Sequence, residues 1–298
     1  MTVHLGIGIV SIVAFSFFFP CNLIIVWIIT TKGKLRKLWA FVIILHTAIL
    51  DIGYIQPILT TGLMSLLGVS LPNSIVVGSY YIMTAFPATQ AALNLSLALN
   101  RMFVFTEMRH LNKAIVYWIL LSISWLSGVV WIVLTALIKA DFIFDLNRHT
   151  LLMIPIDDQE KLSQERLNTA KIYFTLVCFG FGFFCYIITI FSIFRKKSNE
   201  LSKTELRIFV QASVLFVGLA ITRFAAHYSY AFTMFLGNYV GAVVGLVFYR
   251  LMPCTINTAI NLVVNKSIRG SIIDIFRKVL LKRLKPNSVS SVITVKNL

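Results

Sequence analysis

Seven apolar runs, each about 20 residues or longer, recur along this chain, and that recurrence constrains the fold more than any other feature. A helix needs roughly 20 such residues to cross about 30 Å of hydrocarbon. The runs lie at roughly 5–31, 39–67, 75–101, 114–138, 171–194, 208–232 and 239–264. Only 13% of the 298 residues are charged and 58% are hydrophobic, too little polar surface to coat a soluble domain. The first run lacks a basic leader and a small-residue cleavage site, so it is expected to remain as an anchor. The expected architecture is all-α. A seven-transmembrane helix bundle occupies 1–265, a C-terminal amphipathic surface helix 266–285, and a disordered cytoplasmic tail 286–298.

The net charge of +16 does not point to nucleic acid, because the cations are dispersed between apolar runs. They follow instead the preference of Lys and Arg for cytoplasmic loops. KGKLRK follows the first span, Arg109 and Lys113 the third, and RKKSNELSKTELR the fifth. The intervening segments are near neutral, and 139–170 reads as a long acidic loop holding Asp141, Asp145, Asp157, Asp158, Glu160 and Glu165. The expectation is an extracellular N-terminus and a cytoplasmic C-terminus. In 266–285, Ile268, Ile272, Ile275, Phe276, Val279 and Leu280 fall on one helical face with basic residues opposite, which suits anionic inner-leaflet lipid. Cys21, Cys178, Cys185 and Cys254 all lie inside apolar runs, so free thiols are expected.

Polar groups within the runs are the candidate working parts, because hydrocarbon is a poor host for them. Residues spaced i, i+4, i+7 and i+11 share one helical stripe. Span seven places Arg250, Cys254, Asn257 and Asn261 at that spacing, and span three Gln90, Asn94, Leu97 and Arg101. The stripes either face a shared wet interior or make interhelical packing bonds. Asp51 is the carboxylate placed inside a span, at a depth matching Arg250 within the boundary error. Arg250 either pairs with Asp51 or turns to an outward-open cavity. Arg223 and His227, one turn apart in span six, either snorkel to the outer headgroups or contact a ligand or the acidic loop. Pro57, Pro87 and Pro253 are expected to bend their helices.

By PCNLIIVW, LHTAILD, LALNRMFVF, ISWLSG and Asn257-Thr258-Ala259-Ile260-Asn261, taken in chain order, the sequence resembles a rhodopsin-like G-protein-coupled receptor across all seven spans. The family's Asp-Arg-Tyr signature is matched by Asn100, Arg101 and Met102 in LALNRMFVF, and its helix-four tryptophan by Trp125 in ISWLSG. Asn22 in PCNLIIVW and Asp51 in LHTAILD correspond to the helix-one asparagine and helix-two aspartate. Asn257-Thr258-Ala259-Ile260-Asn261 aligns on Asn-Pro-x-x-Tyr. Asn100 replaces the acid, so an ion lock from Arg101 to that neighbour cannot form, and Thr258 and Asn261 replace the proline and tyrosine. The family's disulfide and helix-six Trp-x-Pro are absent, and no lysine lies in span seven to carry retinal. The Asn-Arg variant, the short N-terminus and RIFVQASVLF make the chain similar to nematode serpentine chemosensory receptors of the X, T or V type.

The resemblance implies a non-enzymatic chemoreceptor of the plasma membrane, the sensory cilium being one candidate place. It would couple an extracellular small molecule to a heterotrimeric G protein, with no cofactor. The ligand would sit among Gln90, Arg223, His227, Tyr228 and Arg250, and the arginines make anionic ligands the first class to try. Arg101 would be the switch, with Asn22, Asp51, Asn94, Asn257 and Asn261 as a polar relay to it. The alternative is a small-solute transporter or channel with a polar path between helices.

Overall fold

The computed structural model describes residues 2–145, 149–195, 203–227, 247, 251–263, 265, 268–274 and 277. Its elements are α1 (Thr2–Thr31), a short α2 (Gly33–Arg36), α3 (Trp39–Leu67), α4 (Asn73–Phe105), α5 (Ala114–Ala136), β1 (Ala140–Asp145), β2 (Thr150–Pro155), α6 (Asp158–Arg195), α7 (Lys203–His227) and α8 (Met252–Val263). A further helical stretch covers 268–274. Five described helices, α1, α3, α4, α5 and α6, are long and apolar enough to cross a membrane. α7 contributes the shorter apolar stretch Phe209–Thr222. The bundle is the expected helical one, with α8 as the described part of span seven.

Hydrocarbon supplies no hydrophobic force between helices, so close packing and interhelical hydrogen bonds must hold the bundle. Small residues provide the packing. A Cβ added at Gly62 of α3 would stand 2.6 Å from Ser11 Cβ of α1, and one at Gly8 3.0 Å from the Gly62 carbonyl oxygen. These two helices therefore meet backbone to backbone. Gly128 of α5 lies closer still to Thr89 of α4, and Gly218 of α7 to Ile256 of α8. Gly182 of α6 admits Phe216, where an added Cβ would approach its ring to 2.8 Å. On the outward faces, Ile115, Ile119, Ile123 and Leu126 of α5 and Val177, Phe181 and Phe184 of α6 are exposed. That is the arrangement a lipid solvent permits.

The segment expected as the loop 139–170 is instead an antiparallel hairpin followed by a helix. β1 pairs with β2 from Ala140↔Pro155 to Asp145↔Thr150. Leu151 and Met153 are buried while Ile154 is exposed, the alternation of a half-buried strand. The Asp157 carboxylate accepts the Glu160 N–H at 2.7 Å and caps α6, whose first turn holds Asp158 and Glu160. Acids at a helix N-terminus oppose its dipole favourably, so the residues read as an acidic loop start span five early, at Asp158 rather than 171.

Non-covalent contacts hold the hairpin to the bundle. His149 Nδ1 lies 3.0 Å from Ser65 Oγ. The Ser65 hydroxyl already donates to the Thr61 carbonyl at 2.8 Å, so its oxygen accepts and His149 Nδ1 carries the proton. Phe142 packs on Tyr80 and Tyr81 with ring centroids 5.0 and 5.6 Å away. All four cysteines are free. The bundle thus has a hairpin end, where α3 finishes and α4 begins, and an Arg101 end, where α4 finishes and α5 and α7 begin.

Candidate functional site

Span seven is bonded to four other helices by successive polar residues. Gln90 Nε2 of α4 donates to the Pro253 carbonyl at 2.6 Å. Four residues further, Asn257 Nδ2 donates to Asp51 Oδ2 of α3 at 2.9 Å. Thr258 Oγ1 donates to Asn22 Oδ1 of α1 at 2.7 Å. One turn beyond, Asn261 Nδ2 donates to Asn257 Oδ1 at 2.9 Å, and Asn261 Oδ1 accepts from Gln211 Nε2 of α7 at 2.7 Å. The helical repeat turns each residue toward a different neighbour. All of these side chains are at most 4% exposed.

Asp51 is fully buried, and Asn257 is its hydrogen-bond partner among the described residues; its Oδ1 has none there. A carboxylate at mid-bilayer costs about 2.5–3.5 kcal/mol on insertion scales. A hydrogen bond to a charged group returns about 1.5–3 kcal/mol, so the Asn257 bond offsets part of that cost. Asn257 thus does for Asp51 part of what the sequence assigned to Arg250, a residue outside the described ones. The Asp51–Arg250 alternative lies outside them as well.

At the Arg101 end, Arg101 is 4% exposed and Nη2 donates to the neighbouring Asn100 side-chain carbonyl. Asn100 also reaches the Tyr117 hydroxyl, which donates to Asn112 Oδ1 in the following loop at 2.8 Å. Tyr117 and Tyr186 both lie within electrostatic reach of the guanidinium. The ion lock that Asn100 cannot make is therefore replaced by a charge-assisted hydrogen bond to a neutral amide. An aspartate could accept from Arg101, but it could not also donate toward Tyr117.

The structure brings Asn22, Asp51, Asn257 and Asn261 into one cluster around α8. Asn94, expected in the same relay, is buried, but its amide nitrogen has no hydrogen-bond partner among the described residues. Gln90, expected beside a ligand, is spent at least in part on the span-seven backbone. Arg223 and His227 fall within α7, with side chains outside the described set, as is all of Tyr228. Sequence reasoning missed Gln211 and Thr258. Gln211 had a signal, a lone amide in the apolar run RIFVQASVLF; Thr258 stood out only as a missing proline. It also missed His46, whose Nδ1 accepts from Trp125 Nε1 at 3.0 Å.

The expected surface helix is described at its start. Asn265 Oδ1 accepts the Ile268 N–H at 3.2 Å, capping the turn, and Arg269 Nη1 donates to the Val263 carbonyl at 2.7 Å. Ile268 and Ser271 are buried and Ile273 is exposed. The first turn therefore packs against the bundle.

A family model described as "Serpentine type 7TM GPCR chemoreceptor Srt" matches residues 2–285. No curated protein matches the sequence. Among solved structures, a crystal structure of squid rhodopsin is similar in fold, with a TM-score of 0.67 and 15% identity. That similarity covers 94% of this chain and 82% of the rhodopsin chain.

Proposed function

We propose that this chain, which belongs to the Srt family of serpentine seven-transmembrane G-protein-coupled chemoreceptors, binds its ligand at the hairpin end and engages a heterotrimeric G protein at the Arg101 end. Of the X, T and V types left open by the sequence, the family match selects the T type. That match across nearly the whole chain is the observation that carries the reading. No finding favours a transporter.

The orientation follows from charge. Lys32, Arg36, Lys37, Arg109, Lys113 and Arg195 belong to segments at the Arg101 end, while the acids of the hairpin and early α6 lie at the other. The preference of cations for the cytoplasmic side makes the Arg101 end cytoplasmic and the N-terminus extracellular. The ligand lies beneath the hairpin, lined by Gln90, Arg223, His227, Tyr228 and Arg250, and the cations in that set suit an acid. Signalling requires two packings of the bundle with different affinities for ligand and G protein. In the packing described, Arg101 is buried beside Asn100; in the other its guanidinium faces the G protein. Asn22, Asp51, Asn94, Asn257 and Asn261 carry the change between the two ends. Anionic inner-leaflet lipid receives the basic face of 266–285.

The test expresses the chain in a heterologous cell with a second-messenger reporter and screens small volatile and water-soluble acids. A saturable response lost in Arg250→Ala and Arg223→Ala, with surface expression retained, is expected. A response confined to neutral compounds, indifferent to both substitutions, would overturn the ligand assignment.

A further inference from the structure

We propose that Gln211 and Asn261 form a latch that holds α7 against α8 at the Arg101 end, as the last link of a hydrogen-bonded series that runs through Asn257 to Asp51. Its consequence for signalling rests on the receptor reading above; its geometry does not. Gln211 Nε2 donates to Asn261 Oδ1 at 2.7 Å, Asn261 Nδ2 to Asn257 Oδ1 at 2.9 Å, and Asn257 Nδ2 to Asp51 Oδ2 at 2.9 Å. Three amides thus run head to tail from one helix, through the second, to a carboxylate on a third.

The bonds give this chain one direction. Asp51 Oδ2 accepts from Asn257 Nδ2, so Asn257 turns its nitrogen to Asp51 and its oxygen to Asn261. Asn261 must then offer its nitrogen to Asn257 and its oxygen to α7, which leaves a place there for a donor alone. Gln211 supplies that donor. Hydrogen bonds in such a series polarise one another, so the last link is strengthened by the first. Two helical turns along α7, Gly218 lets Ile256 of α8 approach closely. The α7–α8 seam is thus tight there and is closed toward the Arg101 end by the amide pair. Near the start of α7, Phe209 packs on Phe105 and Tyr186 with ring centroids 5.6 and 5.9 Å away. Those ring contacts are non-directional in comparison with the amide pair, whose separation strands a donor and an acceptor in hydrocarbon. Gln211 is therefore a positioning residue, and the bond must break for α7 to swing outward.

The test needs no ligand. Spin labels on cysteines introduced at Leu206 and Ile115, both exposed at the Arg101 end, report the distance from α7 to α5 in nanodiscs. Nucleotide exchange on added G protein is measured beside it. Gln211→Met keeps the length and removes the amide. It should raise the open fraction, and basal exchange with it, on the order of threefold to tenfold, as expected for one interhelical hydrogen bond. If it does not fold, Asn261→Leu breaks the same bond from the other side. The exchanged pair Gln211→Asn with Asn261→Gln keeps the summed reach and should restore the closed distance, a rescue that general loosening of the core would not give. An unchanged distance distribution in the single variants overturns the latch, whatever the exchange assay reads. A lengthened distance with no exchange upholds the latch and counts against the receptor reading.

Discussion

Replacing Asn257 by alanine removes the described partner of a buried carboxylate and one link to Asn261 in a single step. The charge-assisted bond to Asp51 contributes about 1.5–3 kcal/mol and the amide link about 0.6 kcal/mol, so the expected loss is about 2–4 kcal/mol. Asn261 keeps its bond to the Asn257 backbone carbonyl at 2.9 Å, which is why the second term is small. For a chain of this size about 2 °C accompanies each kcal/mol, giving a melting shift of about 4–8 °C. The protein carries its own reporter. Cys178, Cys185 and Cys254 are buried and free, so a thiol-reactive fluorophore follows unfolding in detergent. Adding Asp51→Asn to Asn257→Ala should recover part of the loss, because a stranded amide costs less than a stranded carboxylate. An Asn257→Ala protein melting within about 1 °C of the parent would refute the reasoning, as would strictly additive losses in the double variant.

Thr258→Pro restores the family's residue but removes the hydroxyl that donates to Asn22, and it should melt lower than Thr258→Val in the same assay; a stabilised proline variant would make the Asn22 bond incidental. Asn100→Asp should convert the Arg101 hydrogen bond to an ion pair and lower basal nucleotide exchange by about fivefold, since charged pairs are roughly twice as strong. Gly62→Val drives a side chain into Ser11 and should cost about 1–3 kcal/mol, read as lost surface expression, with Ser11→Gly returning part of it.

Much of this architecture is legible in the sequence because one physical rule dominates it. Apolar length marks the first four spans to within a few residues, and 39–67 coincides with α3. The same rule singled out Asn22, Asp51, Asn257 and Asn261, which meet in the fold because each is intolerable alone in hydrocarbon. What it could not provide was direction. Depth along a helix matched Asp51 to Arg250, which lies outside the described residues; among those described, the rotation of α8 turns Asn257 toward Asp51. The hairpin and early start of α6 were hidden by their acids, which read as loop until Asp157 is seen capping the helix. Gln211 passed unnoticed because a lone amide acquires meaning only from the acceptor opposite it. Departures from the family motif were legible as differences, yet their compensation was not. Asn100, Thr258 and Asn261 each make a specific side-chain bond at the altered position.

Whether this polar core couples two ends of a receptor is read by guanine-nucleotide exchange on purified heterotrimeric G proteins, with the chain in nanodiscs and Arg101→Leu beside it. The parent should give exchange above background and Arg101→Leu exchange at background, with both proteins melting as folded bundles. Exchange at background for both across a panel of G proteins, with the parent passing ions or small solutes through liposomes, would contradict that coupling.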